Sequence, residues 1–237
     1  MIEIPLPRLA LSLLPLLLVA WFSFKWSGRP GELVVATARM LVQLLAVGYV
    51  LVFLFKVENP WIGVGIVAFM IAVSSWIAVR TVKTGRLKSY RDALIGIGVG
   101  GGLVFALVIF GVLGLSPWYQ PSYIIPLAGM VFSNAMTAVT LCAERFDAET
   151  EGGKAIDDAR DAAWNAALIP QVNGFLAVGL VSLPGMMTGQ ILAGTSPLDA
   201  VRYQILVMAM VLGSAGLAVA IFLMRTRRRK IAGSRPA

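Results

Sequence analysis

Hydrophobic residues in this chain fall into long blocks separated by short segments that hold nearly all the charge. Seven blocks can be drawn: Leu9–Phe24, Leu33–Phe55, Trp61–Val79, Ala93–Leu113, Ile124–Cys142, Ala166–Leu183 and Leu198–Met224. Each is close to the roughly 20 residues that a helix, rising about 1.5 Å per residue, needs to cross the hydrocarbon of a bilayer. Ile62–Val79 and Leu94–Leu115 contain no Asp, Glu, Lys or Arg at all. The pattern predicts an all-α polytopic membrane protein, a single transmembrane domain over residues 1–237 with about seven transmembrane helices. Leu9–Phe24 follows one Arg8 and is not followed by a small-x-small cleavage site, so it is read as a first retained helix.

Composition agrees. Hydrophobic residues make up 58% of the chain and charged residues 14%, against about 25% charged in soluble domains. That balance cannot cover a water-facing surface. The net charge of +8 could suggest nucleic acid, but the bases lie between apolar blocks and in the Arg225–Lys230 run, the pattern of solvated, lipid-facing membrane flanks. No nucleic-acid partner is expected. Alternate loops are unequal: Lys and Arg number two in 25–36, five in 80–92, three in 143–165 and six in 225–237, while Arg8, Lys56 and Arg202 stand alone on the other side. The positive-inside rule therefore predicts the N-terminus outside and the C-terminus in the cytoplasm, with 225–237 a basic cytoplasmic tail. Arg39 is the one base inside a block, near enough to its cytoplasmic end to snorkel.

The chain has no His and a single Cys142, which removes imidazole chemistry and any disulfide within it. All twelve acids lie outside the middles of the predicted spans. Ion-coupled carriers commonly keep an ionisable residue at membrane depth, so an energy source would lie on another polypeptide. No G-x-x-x-x-G-K-[ST] loop occurs, and no cofactor is expected on this chain. Gly96–Gly102 lies in an apolar block with no preceding strand. Gly96/Gly100 and Gly98/Gly102 are therefore expected to mark close helix packing.

One polar island interrupts the apolar pattern. Residues 143–165 carry Glu144, Asp147, Glu149, Glu151, Asp157, Asp158 and Asp161 against Arg145, Lys154 and Arg160, a net −4, and Gly152–Gly153 splits them into two helical pieces. Such a hairpin is either a docking surface or a solvated connector. Further on, Pro184 and Gly185 are expected to end or break the sixth helix. The segment Pro184–Gly194 is then either a pathway wall at membrane depth or an external loop capped by a short helix. Gln43, Ser133, Asn134, Thr137, Gln171, Asn173 and Gln204 put polar groups inside the blocks, where they line a path or join helices. Met130, Met136, Met186 and Met187 offer thioethers suited to Cu(I), although methionine more commonly fills cores. No metal-ligand set follows from these residues.

Several motifs resemble a known family. They are Ala38-Arg39-x3-Gln43-x4-Gly48-Tyr49-x-Leu51, Ile125-Pro126-x2-Gly129-Met130-x3-Asn134-Ala135-Met136, Ala167-Leu168-Ile169-Pro170, the run Val178–Gln190, and Tyr203-Gln204-Ile205. In this order they are similar to the permease subunits of FetB-type bacterial ABC exporters, linked to iron efflux and related to plant aluminium-tolerance permeases. The resemblance implies a multi-pass permease of the bacterial cytoplasmic (inner) membrane. It would work as a homodimer and export metal ions, with ATP bound by a separate ATP-binding cassette subunit. It also implies a transport path near Gln43, Asn134, Gln171, Asn173, Pro184, Gly185, Met186, Met187 and Gln190. ATPase coupling would fall to Asp147, Glu149, Glu151, Asp157, Asp158 and Arg160. Two segments depart from the family pattern. The 143–165 island is shorter, and Gln171-Val172-Asn173-Gly174 with Leu176 stands where the family commonly has Thr-x-Asp-Ser and then a Lys. A neutral Asn173 retains hydrogen bonding without the charge that draws a hard cation. A member that has lost coupling would instead be a membrane scaffold or sensor.

Overall fold

The computed structural model describes residues 5–27, 30–55, 59–82 and 85–233. They form two compact units, 1–57 and 58–237. In the first, α1 (Leu6–Leu11) and α2 (Leu14–Ser27) are separated at Ser12–Leu13, and α3 (Pro30–Leu54) follows. The break has a covalent cause: Pro15 has no N–H, and its ring excludes the carbonyl four residues back. Ser12 caps the interruption by donating its hydroxyl to the Leu9 carbonyl at 2.6 Å.

The second unit holds α4 (Pro60–Ala78), a continuous helical run from Arg86 to Val112, α7 (Pro121–Glu151), α8 (Ile156–Ala177), the short α9 (Gly185–Leu192) and α10 (Pro197–Gly233). The Arg86–Val112 run is α5 (Arg86–Ile95), a π-helical stretch Gly96–Gly101, α6 (Gly102–Ala106) and a second π-helical stretch Leu107–Val112. Local sequence sets the starts. Asn59 accepts the Trp61 amide before Pro60. Ser196 caps α10: its hydroxyl accepts the Asp199 amide at 3.2 Å and donates to the Asp199 carboxylate at 2.7 Å, with Pro197 at the first helical position.

Among the described residues, six helices are long and apolar enough to cross a membrane. They coincide with six of the seven predicted blocks. The remaining block, Ala166–Leu183, belongs to α8, which begins ten residues earlier in the acidic island and carries its charge. It still runs the length of the unit: Asp157 at its start pairs with Arg227 near the end of α10. At the other end, Phe175 and Val178 share a groove with Val201 and Gln204 near the start of α10.

Packing relies on small residues. Ala159, Ala163 and Ala167, four apart on α8, are fully buried and let the α7 and α10 backbones come close. The glycine segment goes further. A Cβ at Gly100 would lie 2.6 Å from the Ala218 amide nitrogen on α10, and one at Gly96 would lie 2.8 Å from the Ala218 carbonyl oxygen. The Gly96/Gly100 pair therefore packs as expected. Gly98/Gly102 does not: Gly98 meets only the Ile71 side chain at 3.5 Å and Gly102 meets nothing within 4 Å. These two glycines face away from α10, because residues four apart share a face and residues two apart do not.

Replacing Gly100 by Leu should lower stability by about 1–3 kcal/mol through overpacking against main chain that cannot move aside. Gly102→Ala should leave it unchanged or slightly raised. Thermal unfolding of the two purified variants in one detergent checks the contrast.

Candidate functional site

The buried stripe of α8 continues one step past its alanines. Counting on by four from Ala167 reaches Gln171, which is buried and donates from Nε2 to Asn134 Oδ1 on α7 at 3.4 Å. Asn134 in turn donates to the Met130 carbonyl at 2.8 Å. Two amides that would otherwise be unsatisfied in an apolar interior satisfy each other, and the pair joins the two helices. Ser133 and Thr137 instead donate to carbonyls of their own helix.

Beyond Pro170, α8 ends at Ala177. The Ala177 carbonyl accepts N–H groups from Leu180, Val181 and Ser182, and Gly179, at φ +79°, donates to the Ser182 carbonyl at 3.0 Å. The helix thus closes into a tight turn seven residues before the position predicted for its break. The reason is chemical: Gly179 supplies the left-handed conformation that the turn needs. Pro184 and Gly185 start a helix rather than end one, since Pro184 is the N-cap of α9 and Gly185 its first residue. From Asp161, the last charge on α8, to Ala177 is about 24 Å of helix at 1.5 Å per residue.

Around that turn lies a groove of about 410 Å³ lined chiefly by apolar groups, including Gly179, Pro184, Met187, Gln204 and Met208. Met186 packs against the core, and Gln190 is half-buried with its Oε1 unpartnered. Asn173 is exposed on α8, apart from the Asn134–Gln171 contact. Gln43 is exposed on α3 of the first unit. Of the predicted path residues, then, Asn134 and Gln171 touch each other, and Pro184 and Met187 share the groove. Among the described residues no group of three or more His, Cys, Asp or Glu side chains could hold a metal ion.

The opposite end of this unit is charged, and here the structure differs from the sequence reading. Arg225–Lys230, expected to be a solvated, lipid-facing flank, is helical, and four of its bases are paired with neighbouring helices. Arg225 Nε donates to Asp92 Oδ1 at 3.1 Å, and Arg229 approaches the other oxygen at 3.5 Å. Arg227 Nε donates to Asp157 at 2.7 Å. Lys230 reaches Asp147 at 3.1 Å and the Thr150 hydroxyl at 2.8 Å, over the Phe146 ring. The reason is register: α10 runs straight on past its apolar span and brings its bases level with the acids of α5, α7 and α8. These pairs tie α10's basic run to α5 at Ser89 and Asp92, to α7 at Asp147 and to α8 at Asp157.

Among the predicted coupling residues, Asp147 and Asp157 are thus engaged within the chain. Glu149, nearly buried, is held by Arg145 and by Lys154 at 2.6 Å. Arg160 pairs with Asp157 and Asp161, while Glu151 and Asp158 stay exposed at the hairpin. Sequence reasoning missed Asp92, which is buried with only 5% of its surface exposed. Its one signal was being a lone acid at the mouth of an apolar block, and its partners lie more than 130 residues away.

Asp92→Ala should cost about 2–3 kcal/mol, because it leaves two partly desolvated guanidiniums without their counter-ion. Arg227→Ala, which breaks an exposed, solvent-screened pair, should cost clearly less than Asp92→Ala. Thermal unfolding midpoints compare them. The hydrogen bond from Arg227 is the largest influence on Asp157 and holds its carboxyl below the usual aspartate range, partial burial pushing the other way. Its contribution is therefore complete above the ordinary value of about 3.9 and is lost as pH falls through the lower, folded one. Acid unfolding of wild type should lose an increment below about pH 4 that Asp157→Asn lacks.

Residues 7–231 match the family described as Uncharacterised protein family (UPF0014). The chain is 37% identical over 210 residues to the Probable iron export permease protein FetB of Escherichia coli, covering 82% of this chain and 79% of that one. It is 35% identical over 205 residues to a UPF0014 membrane protein of Synechocystis, covering 79% of each. It is also 35% identical over 204 residues to the protein ALUMINUM SENSITIVE 3 of Arabidopsis thaliana, covering 78% of this chain and 72% of that one. No solved structure matches. With nearly its whole length matched, and with helices that can cross a membrane repeatedly, the chain belongs to the UPF0014 family of multi-pass membrane permeases.

Proposed function

We propose that the chain is the membrane subunit of an ABC-type exporter of metal ions, working as a homodimer in the bacterial inner membrane. A separate subunit binds and hydrolyses ATP. The observation that carries this reading is the similarity to the iron export permease, which spans four-fifths of both proteins. Two further features support it: the chain has no phosphate-binding loop, and its spans lack acids at mid-depth. The charged end faces the cytoplasm, as the excess of Lys and Arg there favours.

The path runs between α7 and α8. Asn134 and Gln171 form a neutral polar step, and the groove of Pro184, Met187 and Gln204 lies toward the other face. Gly185, Met186 and Gln190 of α9 and Asn173 of α8 complete the lining as helices move. A cation in transit meets amide oxygens and thioethers rather than carboxylates, which gives weak, reversible contacts. Glu151 and Asp158 at the hairpin tip receive the ATPase, while Asp147, Glu149, Asp157 and Arg160 stiffen the hairpin so that its displacement reaches α7, α8 and α10.

The test is co-purification with the ATP-binding subunit encoded nearest to it, followed by ATPase assays with and without the permease. A stable complex with stimulated ATPase activity is expected. Glu151→Lys combined with Asp158→Lys should weaken association about tenfold, since like charges then oppose across the interface. Absence of both complex and stimulation would end the exporter reading in favour of a non-transporting scaffold or sensor. Deletion of the gene should sensitise cells to iron, and parallel scans of aluminium, copper and manganese define the cargo.

A further inference from the structure

Asp92 and its two guanidiniums form the floor of a cleft that the ion pairs do not neutralise. Between α5 and the last turns of α10 lies a space of about 350 Å³ lined by Lys88, Arg91, Asp92, Arg225, Arg228 and Arg229. Five bases face one acid, a net +4 around a volume large enough for a phosphate and part of its ester. The two groups nearest the acid are fixed in place. Arg225 is held by Asp92, and Arg229 is held by Asp92 and by the Ser89 hydroxyl at 3.2 Å. Lys88, Arg91 and Arg228 are exposed and, among the described residues, have no acidic partner.

Like charges gathered this closely repel unless an anion joins them, so the cleft favours an anionic occupant. Its chemistry can be narrowed. Guanidinium forks match the oxygens of phosphate, and lysine adds a point charge. Its depth can be narrowed too. Arg225 is the first charge after the apolar stretch of α10, and Arg91 and Asp92 are the last before the uncharged run from Ala93. The cleft thus sits where the membrane-spanning segments leave hydrocarbon, the level of lipid headgroups. Nearby, Arg86 lies 4.4 Å over the Trp76 ring, an aromatic placed as interfacial tryptophans are. Basic pockets between transmembrane helices at this level are suited to anionic headgroups.

We propose that this cleft binds a phosphoryl group, with Arg225 and Arg229 as the preorganised floor and Lys88, Arg91 and Arg228 closing over it. The group comes from an anionic phospholipid or from free phosphate. An acidic peptide fits less well, because the cleft lies at the level where charged residues give way to the uncharged runs of α5 and α10. This assignment needs only that the chain spans a membrane, and it stands or falls independently of metal export.

The test uses the full chain purified in neutral detergent. Native mass spectrometry follows titration with phosphatidylglycerol against phosphatidylcholine. Calorimetry follows inorganic phosphate against chloride, and a polyglutamate peptide forms a third arm. The variant is Lys88→Ala with Arg91→Ala and Arg228→Ala, three exposed bases outside the ion pairs. Its control removes the same charge elsewhere, through Arg8→Ala, Arg145→Ala and Arg202→Ala.

Preferential phosphatidylglycerol binding that falls on the order of 100-fold in the variant, at roughly fivefold per charge, and holds in the control, supports the site and names a lipid. Phosphate binding with the same pattern, without a lipid preference, supports it and names free phosphate. No preference in either arm, an equal loss in the control, or binding of polyglutamate alone overturns it. Should the triple variant unfold, Arg228→Gln alone should lose about fivefold in whichever arm binds, and an unchanged affinity overturns the proposal.

Discussion

The missing side chains of Gly96 and Gly100 govern the C-terminal unit, because they let the backbone of one membrane-spanning helix press against that of another. At van der Waals distance from Ala218 there is no room for a Cβ at either glycine. In a bilayer, where lipid and protein interior are equally apolar, such contact replaces the hydrophobic drive as a source of helix association. The same stretch is π-helical, and its widened turn occurs where α10 leans on it. Because α10 also contacts α5, α7, α8 and α9, its position sets the spacing of the whole unit.

From that contact follows the charged end. Once Ala218 is seated against the glycines, Arg225 lies two turns further along α10 and the next five residues rotate past three other helices. Arg225 and Arg229 share Asp92 on α5, Arg227 meets Asp157 on α8 and Lys230 meets Asp147 on α7. Individually the exposed pairs add little. Together they fix where three chain segments meet, and they use up acids that a partner could otherwise engage. Among the described residues what remains is uneven, with Glu151 and Asp158 unpaired at the hairpin tip and three bases without an acid around the Asp92 cleft. One end of the protein thus presents both signs of charge in separate places.

The membrane interior shows the opposite economy. In the C-terminal unit buried Ser74, Ser75 and Ser214 donate to carbonyls of their own helices, and buried Gln171 donates to Asn134. Asn134 and Gln171 contact each other because both lie at four-residue intervals from buried small residues on facing stripes. The turn after Ala177 satisfies its own amides. Neutral, self-satisfied groups such as these can change partners at low cost when helices shift.

Periodicity and composition by themselves determined that the chain is helical, that it crosses a membrane repeatedly, and where most spans begin and end. These follow from local requirements: the length of apolar helix that matches hydrocarbon, the cost of burying charge, and the cap residues at helix starts. The motifs likewise pointed to the family before any coordinates. Tertiary structure alone decided that Gly179 rather than Pro184 ends α8, since that depends on which carbonyl collects the turn's amides. It alone decided that Gly96 and Gly100 pack while Gly98 and Gly102 do not. It also turned a flank of bases into a clasp around Asp92, Asp147 and Asp157. The glycine contact and the clasp rest on residues 70 to 137 positions apart, and the register of one helix against another is carried by no local pattern.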